Sequence, residues 1–234
     1  IGGLSTDQVA ALSTLQVSKL TDAQVGAMSA TQVKGIETAD LAVMSSSQLQ
    51  AISSAAVGQL STAQVAALTT AQIDKLTAAQ VKALTTAQIG ALDSAQVAKL
   101  TTEQLNALSG VQVAALDAGD LAGLSAAQVQ ALTTGAVAAM TTAQVAALDT
   151  AQASGLTTAQ VRALTTAQVV ALTTTQAEKL GTAQLAALTN TQVKALETAD
   201  LAKLSTAQLG AVTTAAIGGL STDQVAALST LQVS

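Results

Sequence analysis

The stretch LSTAQVAALTTAQIDKLTAAQVKALTTAQIGAL, residues 60–92, repeats nearly the same eight letters four times. Each octad contains a leucine, a hydroxyl-bearing residue directly after it, a glutamine three positions further on, and then a branched apolar residue. One continuous α-helix does not fit this period, because eight residues are about 2.2 turns and each leucine would be rotated by roughly 80° from the previous one. A strand does not fit either, because the odd Leu-to-Val spacings would put these residues on opposite faces. The period therefore indicates a helix that restarts in every octad.

The spacing within the octad predicts how each short helix begins. In LSTDQV, residues 4–9, Ser5 is the expected N-cap: its hydroxyl accepts the backbone N–H of Gln8, and the Gln8 side chain accepts the N–H of Ser5. Leu4 before the cap and Val9 after it then form a hydrophobic staple. The same pattern predicts capping residues at Ser5, Gln8, Thr69, Gln72, Thr165 and Gln168, and core residues at Leu4, Val9, Leu68, Ile73, Leu164 and Val169.

Helices this short are predicted to depend on their neighbours. An isolated helix of fewer than about 12 residues is marginal in water, so one octad cannot be stable alone. Stacked octads share a core and supply each other's backbone partners, as in solenoid proteins. We therefore predict an all-α fold, a solenoid or superhelix of very short capped helices with one helix per eight-residue repeat. Leu and Val should lie inside, and Ser, Thr and Lys outside. The sequence leaves open the hand of the coil and the number of octads per turn.

A longer repeat is superimposed on the octad. The leucine series runs from Leu4 to Leu228 and the second apolar series ends at Val233, with no linker to interrupt the register. The eighteen letters of residues 1–18 recur at residues 217–234, an offset of 27 octads. We therefore predict that residues 1–234 form a single continuous octapeptide-repeat solenoid, one block of 27 octads plus an overlap of eighteen letters with the next block. Because the chain opens at Ile1, we expect it to be part of a longer parent.

Composition excludes several classes of function. Half of the residues are apolar, yet there is no Phe, Trp or Tyr, which predicts a narrow core of constant cross-section. The chain has no histidine and no cysteine, which excludes His-based triads, the usual zinc sites and haem ligation by those residues. A net charge of −5 without aromatic residues disfavours nucleic acid, and no apolar run reaches the length of a membrane span. We expect no enzymatic activity, no cofactor and no membrane insertion.

Acidic pairs that recur every ten octads are a weak candidate for a metal site, because two or three carboxylates with carbonyl oxygens can bind Ca²⁺. The alternative is that acids near a helix N-terminus complement its dipole and cap it, which is the interpretation that we favour. The pairs occupy the cap and glutamine positions of three octads: Glu37 and Asp40, Asp117 and Asp120, and Glu197 and Asp200. Two octads after the second acid of each pair, alanine replaces glutamine, at Ala56, Ala136 and Ala216.

The pattern L-[ST]-x-x-Q-[VIL]-x-A, as in LTTAQVRALTTAQ at residues 156–168, extends over the whole chain. It resembles the low-complexity helical repeats of very large secreted or surface-exposed bacterial proteins, some of them described as adhesins or haem-utilisation proteins. The resemblance implies an extracellular stalk, filament or surface fibre. It does not carry a haem function to this chain, which lacks the usual His and Cys ligands.

These observations predict a structural segment of an extracellular fibre, filament or surface stalk built from tandem repeats. The expected partners are further copies of the same block in the parent chain, with self-association into a filament also open. The alternative is an adhesin or ligand-binding rod. Threonine pairs such as Thr69–Thr70 also resemble the hydroxyl rows of ice-binding solenoids, although the first threonine of each pair is already used as a cap. The residues after the core valine vary among many types, which favours the structural alternative.

Overall fold

The computed structural model describes residues 1–232, and its helices are all short. Val233, the last member of the predicted apolar series, and Ser234, the last letter of the second eighteen-letter copy, lie outside the described residues. The described part contains 28 α-helices of four to six residues and no strand. The predicted all-α, solenoid-like fold with one short helix per octad is therefore confirmed.

The chain divides into two compact units, Ile1–Leu116 and Asp117–Ser234. The first unit contains α1 (Thr6–Ala10), α2 (Thr14–Ser18), α3 (Asp22–Gly26), α4 (Ala30–Lys34), α5 (Thr38–Val43), α6 (Ser46–Ala51), α7 (Ser54–Val57), α8 (Thr62–Ala66), α9 (Thr70–Lys75), α10 (Ala78–Ala83), α11 (Thr86–Ile89), α12 (Ser94–Val97), α13 (Thr102–Ala107) and α14 (Gly110–Ala114). The second unit contains α15 (Ala118–Ala122), α16 (Ala126–Gln130), α17 (Thr134–Ala139), α18 (Thr142–Ala147), α19 (Thr150–Gly155), α20 (Thr158–Ala163), α21 (Thr166–Val170), α22 (Thr174–Lys179), α23 (Thr182–Ala187), α24 (Asn190–Ala195), α25 (Thr198–Lys203), α26 (Thr206–Ala211), α27 (Thr214–Ile217) and α28 (Thr222–Ala226).

The helices end at or just before the leucine of the next octad. In α9, the leucine that follows the last turn, Leu76, has φ −58° and ψ 142°, so the chain leaves the helix in an extended conformation. Its N–H still donates to the carbonyl of Ile73, which closes the last turn. No residue of the described chain has a positive φ, so these helices stop without the left-handed glycine cap that ends many helices. Each leucine therefore follows one helix and lies directly before the cap of the next.

Within each unit, every helix packs on the helix three places further along the chain. In the first unit the pairs run from α1 with α4 to α11 with α14, and in the second from α15 with α18 to α25 with α28. Hydrogen bonds between turns join residues 28 and 31 positions apart, as for Gln72 with Met44 and Leu41. Helices three octads apart pack, and the hydrogen bonds between turns span 25 to 31 positions, so one turn takes between three and four octads, a number that the sequence left open.

The core of each unit is formed by the leucine and valine positions of successive octads. Among the predicted core residues, Val9, Leu68, Ile73, Leu164 and Val169 are buried. Leu4, in contrast, is only half-buried, so the prediction that its side chain lies in the core is not met in full. In the described chain only the following turn packs against this octad, through α4 on α1, whereas Leu68 has turns on both sides.

Candidate functional site: the glutamine of each octad

The predicted capping residues form reciprocal hydrogen bonds at the start of their helices. The N–H of Ser5 donates to Gln8 Oε1 at 2.8 Å, and the N–H of Gln8 donates to Ser5 Oγ at 3.2 Å. For Thr69 and Gln72 the two distances are 2.8 and 3.2 Å. For Thr165 and Gln168 they are 2.7 and 3.1 Å. Each pair is a capping box, which satisfies two backbone N–H groups that a short helix would otherwise leave without partners.

The glutamine also binds the previous turn of the chain. The side-chain amide of Gln72 donates from Nε2 to the carbonyl oxygens of Leu41 at 2.8 Å and Met44 at 2.9 Å. Gln168 donates in the same way to Val137 at 2.9 Å and Met140 at 2.7 Å. These acceptors lie at the C-terminal end of a helix one turn earlier. The carbonyls of Leu41 and Val137 also accept the N–H of Met44 and Met140, which closes the last turn, and the clamp supplies a further donor there. One side chain therefore caps the start of its own helix and the end of another; we call this arrangement the glutamine clamp.

The clamps are buried, and burial increases the free energy that is lost when one of them is removed. Gln72 and Gln168 are inaccessible to solvent over almost their whole surface. A buried carbonyl without a donor costs roughly 1–3 kcal/mol, whereas each net hydrogen bond contributes only about 1 kcal/mol. Removing the clamp of Gln72 would take the donor from the Met44 carbonyl and leave the Leu41 carbonyl with the Met44 N–H alone, so its loss should cost more than one ordinary hydrogen bond.

The capping role of glutamine was predicted from the sequence, whereas the clamp was not. A capping box accepts Glu as readily as Gln, because only a side-chain oxygen is needed. Yet this position is Gln, Asp or Ala in every octad and never Glu. The absence of Glu was a signal that the amide nitrogen has a task of its own, because a carboxylate has no hydrogen to donate.

The three acidic octads lack the clamp. Asp40, Asp120 and Asp200 are buried, while their partners Glu37, Asp117 and Glu197 are exposed and make no side-chain cap bond. Both carboxyl oxygens of Asp200 and Oδ2 of Asp40 are buried without a hydrogen-bond partner. The predicted cap bond is absent, because no side-chain oxygen of Glu37, Asp117 or Glu197 accepts a helix N–H. That these acids complement the helix dipole stays a prediction.

Burial is the main influence on the pKa values of Asp40 and Asp200. It raises the pKa of Asp40, and the negative charge of Glu37 raises it further. Burial likewise raises the pKa of Asp200. The nearby Thr174 hydroxyl and Glu197 N–H offset part of this rise, and the negative charge of Glu197 adds to it.

The acidic pairs do not form a metal site of the usual size. No group of three or more acidic, histidine or cysteine side chains within residues 1–232 is arranged to hold an ion.

The remaining interruptions of the clamp are the alanines at the glutamine position. Ala56, Ala136 and Ala216 are buried, and the N–H of each donates to the hydroxyl of its cap residue. Gly181 is an interruption of another kind, because it has no side chain to cap the helix, although its N–H still donates to Gln184 Oε1 at 2.7 Å. The cap and the clamp are thus separable, and an octad can keep one without the other.

Short capped helices that repeat every eight residues and stack through one recurrent side chain define a tandem-repeat protein. The chain belongs to the ALTTAQ repeat family, whose model matches residues 33–70, 61–94, 73–110, 113–150, 145–182 and 193–230. The letters ALTTAQ occur at residues 67–72, where they include the core Leu68, the cap Thr69 and the clamp Gln72.

No curated protein matches the chain. None of the helices within residues 1–232 is both long enough and apolar enough to cross a bilayer.

Proposed function

We propose that this chain is a structural segment of an extracellular fibre, filament or surface stalk built from tandem repeats. The observation that carries the proposal is the glutamine clamp, which recurs within both units and joins one turn to the turn before it. Gln48 and Gln104 in the first unit, and Gln160 and Gln192 in the second, all donate to the carbonyl 28 positions earlier.

The clamp suits a load-bearing role because its hydrogen bonds link one turn to the next. A force that separates neighbouring turns acts on bonds that are buried and repeated, and it must also expose the Leu and Val core. In repeat proteins the stability is the sum of such nearest-neighbour interfaces, so a longer array does not need a larger core. A mechanical role therefore requires nothing from this chain beyond the interactions already described.

The identical stretches at residues 1–18 and 217–234 support an assembly of tandem blocks. Their offset is a whole number of octads, so a following block would continue the register of caps and core positions. We propose further copies of the block in the parent chain as the principal partners and the cell surface or extracellular space as the location. We assign the chain no enzymatic activity, cofactor, nucleic acid or membrane insertion.

An adhesin or ice-binding rod is the alternative, and the stacking geometry gives it less support. A flat binding face needs the same surface residue to recur directly above itself in successive turns. Here the hydrogen bonds between turns join residues 25 positions apart, as for Gln50 with Lys75, or 28 positions apart, as for Gln72 with Met44. Neither spacing is a whole number of octads, so these bonds do not join equivalent positions of the repeat.

Immunogold electron microscopy tests the proposed function. Antibodies raised against this chain should decorate filaments or stalks outside intact cells of the source organism. The matched control is the same serum after absorption with the purified chain, which should remove the gold from the filaments. Labelling confined to the cell interior, or to isolated globular particles, would contradict the proposal.

A further inference from the structure

Two clamps are missing from one interface between turns of the second unit. Three successive glutamine positions there, which we call clamp positions, hold Asp200, Gln208 and Ala216. Gln208 donates to the carbonyls of Leu180 and Glu178, both at 2.8 Å. Both carboxyl oxygens of Asp200 lack a hydrogen-bond partner, and Ala216 has no polar side chain. Only one of three clamps therefore joins this turn to the turn before it.

The preceding interface of the same unit has all three of its clamps. Gln176, Gln184 and Gln192 are buried, and each donates to the carbonyl 28 positions earlier, at 2.6, 2.7 and 2.7 Å respectively. The two interfaces are built from the same repeat and differ in the number of clamps that cross them. The complete interface is therefore an internal reference for the incomplete one.

The gaps come from the side chains at the clamp positions and not from the lack of a neighbouring turn. By the spacing of 28 positions, the acceptors for Asp200 and Ala216 would be the carbonyls of Leu172 and Leu188, and both of these residues are present and buried. A carboxylate has no hydrogen to donate, and alanine has no donor in its side chain. A further block of the parent chain would add turns beyond this interface and would leave both gaps as they are.

The first unit has the same pair of gaps. Its clamp positions Asp40, Gln48 and Ala56 repeat the order of the second unit, and Gln48 donates to the turn before it at 2.7 and 3.0 Å. Asp40 Oδ2 is buried without a partner. The sequence contains a third pair, Asp120 and Ala136, so the two substitutions recur every ten octads. Their fixed spacing identifies them as a regular part of the repeat.

The missing clamps lower the cost of separating two turns without interrupting the core. Leu201 and Val212 are buried in the turn that has the gaps, so apolar packing continues there. The stability of stacked repeats is a sum over the interfaces between neighbours. Local opening of a protein begins where that sum is smallest. An interface that keeps its apolar contacts but lacks two of three clamps should therefore open before a complete one.

We propose that this interface is a compliant joint, which opens while the fully clamped turns stay folded. We call it the gap joint. In the second unit it lies between the turns that contain residues 169–188 and 197–216, and in the first unit between those that contain residues 9–28 and 37–56. An array with such joints yields at set places under load and closes again when the load is removed. The local opening is independent of the proposed function, whereas its use under load rests on that function.

Filling both gaps of the second unit tests the joint. The Asp200→Gln, Ala216→Gln variant supplies an amide at each empty clamp position and should close the interface. The matched control, Asp223→Gln, Ala215→Gln, makes the same two exchanges at exposed positions that have no clamp role. Any effect of net charge or of added glutamine is thus common to both variants.

Hydrogen–deuterium exchange of the purified full chain, resolved by peptic fragments and mass spectrometry, measures the opening. In the native chain, the amides of residues 198–217 should exchange at least about tenfold faster than those of residues 174–195. The filled variant should slow residues 198–217 by at least about tenfold, because two clamps add several buried hydrogen bonds. The control should leave these rates within about twofold of the native values.

A second variant moves the gaps to the complete interface. Gln176→Asp, Gln192→Ala leaves Gln184 as the only clamp of three, which reproduces the order of the gap joint one turn earlier. It should make residues 174–195 exchange at least about tenfold faster than in the native chain. This variant decides the matter if the larger side chain at Ala216 prevents the filled variant from folding.

Equal exchange of the two segments in the native chain would overturn the gap joint. So would an unchanged rate in the filled variant, which is the result that fraying from the end of the chain alone would give, or an unchanged rate after the gaps are moved. These measurements are separate from the immunogold experiment. A confirmed joint in a chain that labels no filaments would leave the local opening standing and remove the proposed function.

Discussion

Gln72 and Met44 lie 28 positions apart in the sequence, and Gln72 Nε2 donates to the Met44 carbonyl oxygen at 2.9 Å. The other end of the same amide, Oε1, accepts the N–H of Thr69 at 2.8 Å. A single planar group therefore joins the start of one helix to the end of another. The consequences of this relationship can be tested by changing the nitrogen and the oxygen of the amide separately.

Gln72→Glu removes only the donor half of the clamp. We expect it to destabilise the chain by about 2–4 kcal/mol, because a buried carboxylate would face the carbonyl oxygens of Leu41 and Met44, and the Met44 carbonyl would lose its donor. Urea unfolding measures the change, with Gln59→Glu as the control because Gln59 is exposed. Equal stability of the two variants would show that the amide nitrogen contributes nothing.

Asp200→Gln should restore a clamp that the chain lacks. A glutamine at this position would reach back 28 and 31 positions, to Leu172 and Val169, by the rule that the clamp of Gln168 obeys. It also replaces a carboxyl group whose oxygens are buried without partners. We expect a gain of about 1–3 kcal/mol in thermal or urea unfolding. Asp223→Asn, which removes an exposed charge, is the control, and a gain of similar size there would assign the effect to net charge.

The buried aspartates should contribute more to the stability of the chain in acid than at neutral pH. The pKa values of Asp40 and Asp200 are raised in the folded state, so the folded state binds more protons than the unfolded one. Stability therefore falls as the pH rises from the ordinary aspartate value of 3.8 through the raised folded values, and the contribution is fully present only below that range.

The Asp40→Asn, Asp200→Asn variant isolates this contribution. The free energy of unfolding of the native chain minus that of the variant should decline as the pH rises above the ordinary aspartate value of 3.8. Urea titrations at several pH values measure it, and the subtraction cancels the titration of all other groups. A difference that stays constant, or that rises with pH, would contradict the assigned direction of the pKa shifts.

Alanine substitutions at two glycines test how closely the backbones of neighbouring turns approach. A Cβ on Gly35 would lie 2.8 Å from the carbonyl oxygen of Thr6 in the preceding turn, whereas a Cβ on Gly119 would meet no atom within 4 Å. Gly35→Ala should therefore destabilise by about 1–3 kcal/mol through overpacking. Gly119→Ala, inside helix α15, should stabilise by about 0.5–1 kcal/mol through helix propensity. Thermal unfolding of the pair checks both signs, and a neutral Gly35→Ala would mean that the turns yield easily.

Calcium should leave the stability unchanged. Each acidic pair combines one exposed and one buried carboxylate, as in Glu197 and Asp200, whereas Ca²⁺ takes about six to eight oxygen ligands. Calorimetric unfolding in millimolar Ca²⁺ and in a chelator should give the same midpoint. A midpoint that rises and saturates with Ca²⁺ would instead identify the pairs as binding sites.

The sequence was sufficient for the features that lie within one octad. The cap between Ser5 and Gln8 joins neighbours in the same short helix, so its spacing is visible directly in the repeat. The clamp joins residues in different octads, and a perfect repeat offers no means of telling which octad supplies the partner. The number of octads per turn was hidden for a related reason: the bonds between turns span 25, 28 or 31 positions, and none of these is a whole number of octads that would appear as an alternation in the repeat.

The bonds between turns also determine what lies beside the chain at each link between octads. The extended link around a leucine such as Leu76 lies against a helix of the adjacent turn, where Gln104 accepts the N–H of Thr101 and donates to the Leu76 carbonyl. A link that loses its own backbone contacts therefore stays hydrogen-bonded to a helix of the next turn.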